Sequence, residues 1–241
     1  MQNTTTRTVR EIALESPATT RVFESFNIDY CCGGRINFVD ACRNAGAEPD
    51  VVLSQIETSL SETTDDAARL TELSLSDLID HILETHHKFT YYELEHLPAL
   101  LAKVEGVHGE SHPELHVIAD LFTRAHDDLL PHMYKEEQVL FPYVKDLEAR
   151  TDRELSVAMP PFGTVRHPIK MMMNEHDAVG DILREMRAVS NNYKLPEGAC
   201  PSYSGLFSRL EALERDLHQH IHLENNLLFP KAAELETLAF G

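Results

Sequence analysis

The chain has 241 residues, of which 42% are hydrophobic, so it can bury a substantial core. Its formal net charge of −19 argues against sequence-independent binding to nucleic acid or to an anionic membrane surface. No apolar run approaches the ~20 residues of a membrane-spanning helix, and the first residues lack the pattern of a secretory signal. We therefore expect a cytoplasmic protein whose four cysteines are thiols or metal ligands rather than disulfides.

Residues 1–62 predict a small helical domain. Three short stretches carry apolar residues at helical spacing: 18–26, 38–45 and 49–60. Ser16 and Pro17 begin the first stretch, because serine caps a helix N-terminus and proline fits the first turn. A Tyr-Cys-Cys-Gly-Gly motif at 30–34 interrupts the helical pattern, and its two glycines permit a tight turn.

Residues 76–241 predict a second, larger domain, which a polar linker over 63–75 joins to the first. Four long stretches of this domain have helical patterns: about 76–104, 113–147, 168–192 and 202–235. Pro131 lies inside the second stretch and predicts a kink or a break there. Successive helices of similar length predict an all-α fold, an up-down-up-down four-helix bundle.

The larger domain contains an internal repeat with a fixed offset. His132 and Glu136 recur as His220 and Glu224, since 220 − 132 = 88 and 224 − 136 = 88. Leu-Phe-Pro follows each pair at the same distance. Residues four apart share one face of a helix, so each pair can present an imidazole and a carboxylate to the same point.

Two more histidines complete the set, because His87 and His176 precede the repeated pairs by similar distances (132 − 87 = 45 and 220 − 176 = 44). Four imidazoles and two carboxylates supply three ligands for each of two metal ions. Mixed ligation of this kind with open positions suits iron better than structural zinc, and manganese is compatible with the same ligand types. The predicted metal ligands are His87, His132, Glu136, His176, His220 and Glu224.

Other potential ligands lack the repeat relation. We interpret five histidines as partners of the ligands or as surface residues: His81, His86, His126, His218 and His222. The three consecutive methionines at 171–173 point in three directions on a helix, so we interpret them as packing residues rather than soft-metal ligands. Cys42 is predicted to lie in the core and Cys200 to be an incidental loop thiol.

These motifs together resemble the iron–sulfur cluster repair di-iron proteins, often called RIC, over nearly the whole chain. The resemblance rests on Ile-Asp-Tyr-Cys-Cys-Gly-Gly at 28–34 and on the His-x-x-x-Glu repeat with its Phe-Pro endings. It implies a hemerythrin-like bundle behind a small ScdA-type domain. It also implies a non-haem di-iron centre, bridged by two glutamates and an oxo group and held by the six predicted ligands.

The resemblance further implies a function in the repair of iron–sulfur clusters damaged by oxidative or nitrosative stress, in which the protein donates iron. The partners would then be damaged iron–sulfur proteins. Cys31 and Cys32 would be redox or iron-transfer thiols. The alternative for this pair is a structural one, two thiols packed in a turn.

Two other functions use the same predicted ligands. One is an enzyme that reduces nitric oxide at the di-iron centre, with electrons from a partner. The other is a hemerythrin-like module that binds or senses oxygen or nitric oxide. We favour an iron donor over an enzyme, and a homodimer is compatible with the sequence.

Overall fold

A computed structural model describes residues 7–62 and 70–240 of the chain. In these ranges the regular elements are helices, with one isolated antiparallel bridge between Thr8 and Asn37, and the predicted all-α class is confirmed. No helix in the described ranges is long and apolar enough to cross a membrane. Residues 63–69 of the predicted linker lie outside the described residues.

The N-terminal part of the chain forms four helices: α1 (Val9–Ala13), α2 (Pro17–Ser25), α3 (Phe38–Asn44) and α4 (Pro49–Glu62). Ser16 caps α2 as predicted, since its hydroxyl accepts a hydrogen bond from the backbone N–H of Ala18 at 3.2 Å. The sequence pattern missed α1, because five residues are too few to show a helical period. The signal it does carry is the capping box of Thr8 and Glu11.

The rest of the chain forms long helices, several of them in consecutive segments: α5 (Leu75–His81), α6 (Lys88–His108), α7 (Glu114–Lys135), α8 (Phe141–Asp152), α9 (Arg166–Val189), α10 (Pro201–Leu223) and α11 (Phe229–Phe240). Three π-helical segments join neighbouring α-helices: π1 (Ile82–His87), π2 (Glu136–Leu140) and π3 (Glu224–Leu228). Helix α7 runs through Pro131, so no break occurs at that proline.

The chain divides into two compact units. The first comprises residues 1–79 and 218–241, and the second comprises residues 80–217. These limits differ from the predicted domains 1–62 and 76–241, because the end of the last long helix groups with the N-terminal residues.

Each unit has an apolar core of its own. In the first unit Phe23, Tyr30 and Cys42 are almost completely buried and cluster with Ile221 from the end of α10. The core position predicted for Cys42 is therefore observed. In the second unit the apolar faces of α6, α7, α9 and α10 pack together, and hydrophobic burial of this kind is the main stabilising term of a helical bundle.

Candidate metal centre

The three π-helical segments begin or end at predicted metal ligands. His87 is the last residue of π1, Glu136 is the first of π2 and Glu224 is the first of π3. Pro142 and Pro230 follow the last two segments and lack the N–H that would bond four residues back, which loosens the α-helical pattern at that turn. Short π-helical segments within α-helices are rare and often mark functional sites.

The second unit brings four of the predicted ligands into contact: His87, His132, Glu136 and His176. One carboxylate oxygen of Glu136, Oε2, lies 3.5 Å from His87 Nε2 and 3.3 Å from His132 Nε2. The Nε2 atoms of His132 and His176 are 3.0 Å apart. Two ligands that each lie ~2.1 Å from one ion, 90–110° apart, are separated by about 3.0–3.4 Å, so this spacing fits metal coordination.

The burial of Glu136 supports the presence of a cation. Its side chain is fully buried, and neither carboxylate oxygen accepts a hydrogen bond from the described residues. A buried carboxylate is costly unless it is paired with a positive charge or binds a metal. An ion held between Glu136 and the neighbouring imidazoles would compensate this cost.

Two carboxylates orient the histidines from the outside. The Nδ1 atom of His87 lies 2.8 Å from Glu137 Oε1, and that of His132 lies 2.8 Å from Glu175 Oε2. Because a carboxylate accepts, each Nδ1 is the donor in these hydrogen bonds, and each Nε2 is the ring nitrogen that faces Glu136. The hydrogen bonds from His132 and Lys135 lower the pKa of Glu175 to about 2, although its partial burial acts in the opposite direction.

Sequence reasoning assigned no role to these carboxylates. Glu137 directly follows the predicted ligand Glu136, and Glu175 directly precedes the predicted ligand His176. Adjacency of a carboxylate to a ligand is the one signal in the sequence that points to them. It is weak, since neighbours in a helix point in different directions.

The other histidines of the second unit have partners elsewhere. His86 is buried and lies 2.9 Å from the carboxylate of Asp216, and its ring meets that of His81 edge-on. His126 hydrogen bonds to its exposed neighbour Asp127. His86 is thus a buried, paired residue, although it adjoins the predicted ligand His87 in sequence.

The consecutive methionines at 171–173 differ in burial, because successive residues of a helix point in different directions. Met172 is almost completely buried, whereas Met171 is 44% exposed. The thiol of Cys200 is not isolated in its loop, because its sulfur lies 3.2 Å from His108 Nε2.

The first unit holds the remaining pair of predicted ligands. His220 Nε2 and Glu224 Oε1 are 3.1 Å apart, and both side chains are buried. The two residues lie four apart at the junction of α10 and π3, as the repeat requires. This unit therefore presents one imidazole and one carboxylate at a common point.

Comparison with known proteins agrees with this geometry. The model of the hemerythrin HHE cation-binding domain matches residues 77–232, and a domain of unknown function named ScdA_N matches residues 5–60. A probable iron–sulfur cluster repair protein of Haemophilus influenzae is 32% identical over 92% of this chain and 94% of its own length. The chain belongs to the hemerythrin-domain family of iron–sulfur cluster repair proteins.

Two further relatives match this chain over the same share of its length. The iron–sulfur cluster repair protein YtfE of Pectobacterium atrosepticum is 32% identical over 92% of this chain and 94% of its own. The iron–sulfur cluster repair protein ScdA of Staphylococcus haemolyticus is 30% identical over 92% of this chain and 96% of its own. The family resemblance inferred from the sequence motifs is confirmed.

In this hemerythrin-domain protein, π3 also holds the cysteine motif of the ScdA_N segment. The side-chain amide of Asn226 donates to the backbone carbonyl of Tyr30 at 3.1 Å. The carbonyl of Asn226 in turn accepts a hydrogen bond from the guanidinium of Arg10 at 2.7 Å. That carbonyl has no α-helical donor, because Pro230, four residues on, has no N–H.

The two halves of the repeat therefore share the predicted ligand pair but differ in the residues around it. Glu137 corresponds to Asn225, since 137 + 88 = 225. Glu137 accepts a hydrogen bond from the predicted ligand His87, whereas Asn225 donates to the carbonyl of Cys31 at 3.4 Å. In the second half of the repeat, the two residues after the predicted ligand Glu224 hydrogen bond to the cysteine motif instead.

His222 supports the same contact. Burial lowers the pKa of His222 to about 4, so the ring is neutral at physiological pH. Its Nδ1 accepts a hydrogen bond from the Asn226 amide at 2.9 Å, and its ring meets the edge of the Tyr30 ring. Sequence reasoning took His222 for a partner of the ligands or a surface residue; it is buried and packs against the cysteine motif.

Cys31 and Cys32 are free thiols in this motif. Their sulfur atoms are 3.7 Å apart, and the Cys31 sulfur also lies 3.4 Å from Asp29 Oδ1. The hydrogen bond with Cys32, together with burial, raises the pKa of the Cys31 thiol well above its usual value. Cys31 is buried, whereas Cys32 is partly exposed.

Proposed function

We propose that this protein supplies iron for the repair of damaged iron–sulfur clusters. Its six predicted ligands would together hold two iron ions: His87, His132, Glu136, His176, His220 and Glu224. One observation carries the proposal, which is the fully buried Glu136 carboxylate between the Nε2 atoms of His87 and His132. The relatives that are named iron–sulfur cluster repair proteins support the function.

The ligand types support iron as the metal. The six proposed ligands are imidazoles and carboxylates, and none is a thiolate. This ligand set suits ferrous iron better than structural zinc, whose sites are often rich in cysteine. Hydrogen bonds from Nδ1 to carboxylates, as in His87 and His132, orient Nε2 for binding to a divalent ion. The internal repeat supports two ions rather than one.

The number of ligands is compatible with release of iron. Six protein residues shared by two ions leave open positions on the metal, at which a ligand from another molecule can enter before the ion leaves. The partners would be iron–sulfur proteins that have lost iron from their clusters. The four free thiols of the chain favour a reducing compartment, which we infer to be the cytoplasm.

Anaerobic iron transfer tests this proposal. The iron-loaded protein is mixed with an apo iron–sulfur protein, sulfide and a thiol reductant, while cluster absorption and residual protein-bound iron are followed together. We expect the loss of two irons per chain to keep pace with cluster assembly. A parallel sample of Glu136→Gln, loaded in the same way, should hold less iron and support proportionally less assembly.

Retention of both irons with no cluster formed would overturn the donor function. Measurement of nitric oxide consumption by the reduced protein would then decide whether the same ligands serve an enzyme instead. Free iron at the concentration released is the necessary control, because cluster assembly from free iron at an equal rate would show that the protein only stores iron.

A further inference from the structure

A second group of potential metal ligands lies in the first unit, in the cysteine motif. Asp29, Cys31 and Cys32 each place a ligand atom within 4.8 Å of the others. The two sulfur atoms are 3.7 Å apart, and the Cys31 sulfur lies 3.4 Å from Asp29 Oδ1. None of these three residues belongs to the six iron ligands proposed above.

The distances match those within a tetrahedral coordination shell. Two thiolates that each lie ~2.3 Å from one tetrahedral ion are about 3.8 Å apart. A thiolate and a carboxylate oxygen at ~2.0 Å from the same ion are about 3.5 Å apart. The separation of 3.7 Å between the two sulfur atoms and that of 3.4 Å between the Cys31 sulfur and Asp29 Oδ1 therefore fit ligands of one ion.

The backbone holds this arrangement in place before any ion binds. The Oδ1 atom of Asp29 accepts hydrogen bonds from the backbone N–H groups of Cys31 at 3.1 Å and Cys32 at 3.0 Å. Gly33 then leaves room for the carboxylate, because a Cβ there would lie only 3.1 Å from Asp29 Oδ2. A Cβ on Gly34 would come within 2.5 Å of the Tyr30 carbonyl, so the turn requires glycine at this position.

We propose that Asp29, Cys31 and Cys32 form a separate metal site that takes one ferrous ion in transit, with a fourth position open to a ligand of the recipient protein. The proposal rests on the function proposed above, since the ion is iron that this protein supplies. Each thiol gives up its proton on binding, so the ion, two thiolates and one carboxylate together carry one negative charge. No electron is transferred in this step.

Exposure of the three ligands suits transfer to another protein. Cys31 is buried, Cys32 is partly exposed and Asp29 is exposed, so an incoming ligand meets the carboxylate side of the ion first.

Cobalt titration of the iron-loaded, reduced full chain tests the site under anaerobic conditions. Thiolate ligation gives Co²⁺ an intense near-ultraviolet charge-transfer absorption. None of the six iron ligands proposed above contains sulfur, so this absorption reports on cysteines alone. We expect it to saturate at one Co²⁺ per chain and to vanish in the Cys31→Ser/Cys32→Ser double variant.

Two single variants sharpen the test. Asp29→Asn keeps an oxygen that can accept the same two backbone N–H groups but loses the charge, so we expect the motif to fold and to bind Co²⁺ at least tenfold more weakly. Cys200→Ser removes a thiol outside the motif and should leave the titration unchanged. Far-ultraviolet circular dichroism of every variant establishes that the helices are intact.

Absence of the absorption in the wild type, or its survival in the double variant, would overturn the site. Asp29→Asn binding with unchanged affinity would overturn the three-ligand assignment. Iron content and iron transfer are measured on the same samples. A normal cobalt absorption in a protein that transfers no iron would refute the donor function alone, whereas normal transfer without the absorption would refute this site alone.

Discussion

The side-chain amide of Asn226 donates a hydrogen bond to the backbone carbonyl of Tyr30 at 3.1 Å. Tyr30 immediately precedes the two thiols, and Asn226 lies two residues after Glu224 in π3. The same amide nitrogen lies 2.9 Å from the ring nitrogen of His222. One buried asparagine thus connects the cysteine motif to the helix segment that carries a predicted ligand pair, within one compact unit.

Asn226→Ala should therefore release the cysteine motif. The buried carbonyl of Tyr30 and the buried ring of His222 lose a donor, so we expect the free energy of unfolding to fall by about 1–3 kcal/mol. Alkylation of Cys32 by iodoacetamide should become faster. Gln138→Ala is the matched control, since this exposed residue is the repeat counterpart of Asn226 (138 + 88 = 226). Equal alkylation rates in both variants would contradict the role assigned to Asn226.

His132→Ala should reduce the iron content of the purified, reconstituted protein. The variant removes an imidazole that contacts both Glu136 and His176, so we expect at least one of the two proposed irons to be lost. Metal analysis against protein concentration measures the ratio. His126→Ala, on the same helix but paired with an exposed aspartate, should keep the wild-type ratio, and an equal loss in both variants would argue against the ligand assignment.

Glu175→Gln should weaken metal binding without removing a ligand. The carboxylate accepts from His132 Nδ1, and loss of such a partner typically lowers metal affinity by about 10–100-fold. Competition with a chromogenic chelator measures the change. Glu185→Gln changes an exposed glutamate of the same helix and should compete as the wild type does. Wild-type affinity in Glu175→Gln would show that the hydrogen bond does not position His132.

Arg187→Met should destabilise the second unit. Arg187 Nε donates at 2.8 Å to Glu214, whose side chain is only 2% exposed, so the substitution removes the positive charge that faces a buried carboxylate. We expect a loss of about 3 kcal/mol in the free energy of unfolding. Urea denaturation in the presence of a chelator excludes the contribution of metal binding. Arg184→Met breaks an exposed pair with Asp181, so a comparable loss there would refute this explanation.

Gly34→Ala should disrupt the cysteine turn. The added Cβ would lie 2.5 Å from the Tyr30 carbonyl oxygen, so the backbone must move. We expect a lower melting temperature and a loss of cobalt binding at the cysteines. Gly205→Ala is the control, because a Cβ there meets nothing within 4 Å inside α10 and alanine favours a helix. An unchanged melting temperature and full cobalt binding in Gly34→Ala would contradict the need for glycine.

The sequence by itself predicted the all-α class, the long helices and the ligand repeat. Helical period and the four-residue spacing of His132 and Glu136 are local properties, so they can be read without any knowledge of packing. The structure brings four of the six predicted ligands into contact in one unit and the other two into contact in the other. Short elements such as α1 escaped prediction because they hold too few residues to show a period.

Tertiary structure alone decided which groups surround those ligands. His86 and His87 look alike in sequence, yet one pairs with Asp216 and the other contacts Glu136. Glu175 meets His132 across 43 residues of chain, and Asn226 meets Tyr30 across 196. Contacts between distant segments depend on how whole helices pack against one another, and no local sequence pattern shows which residues will meet.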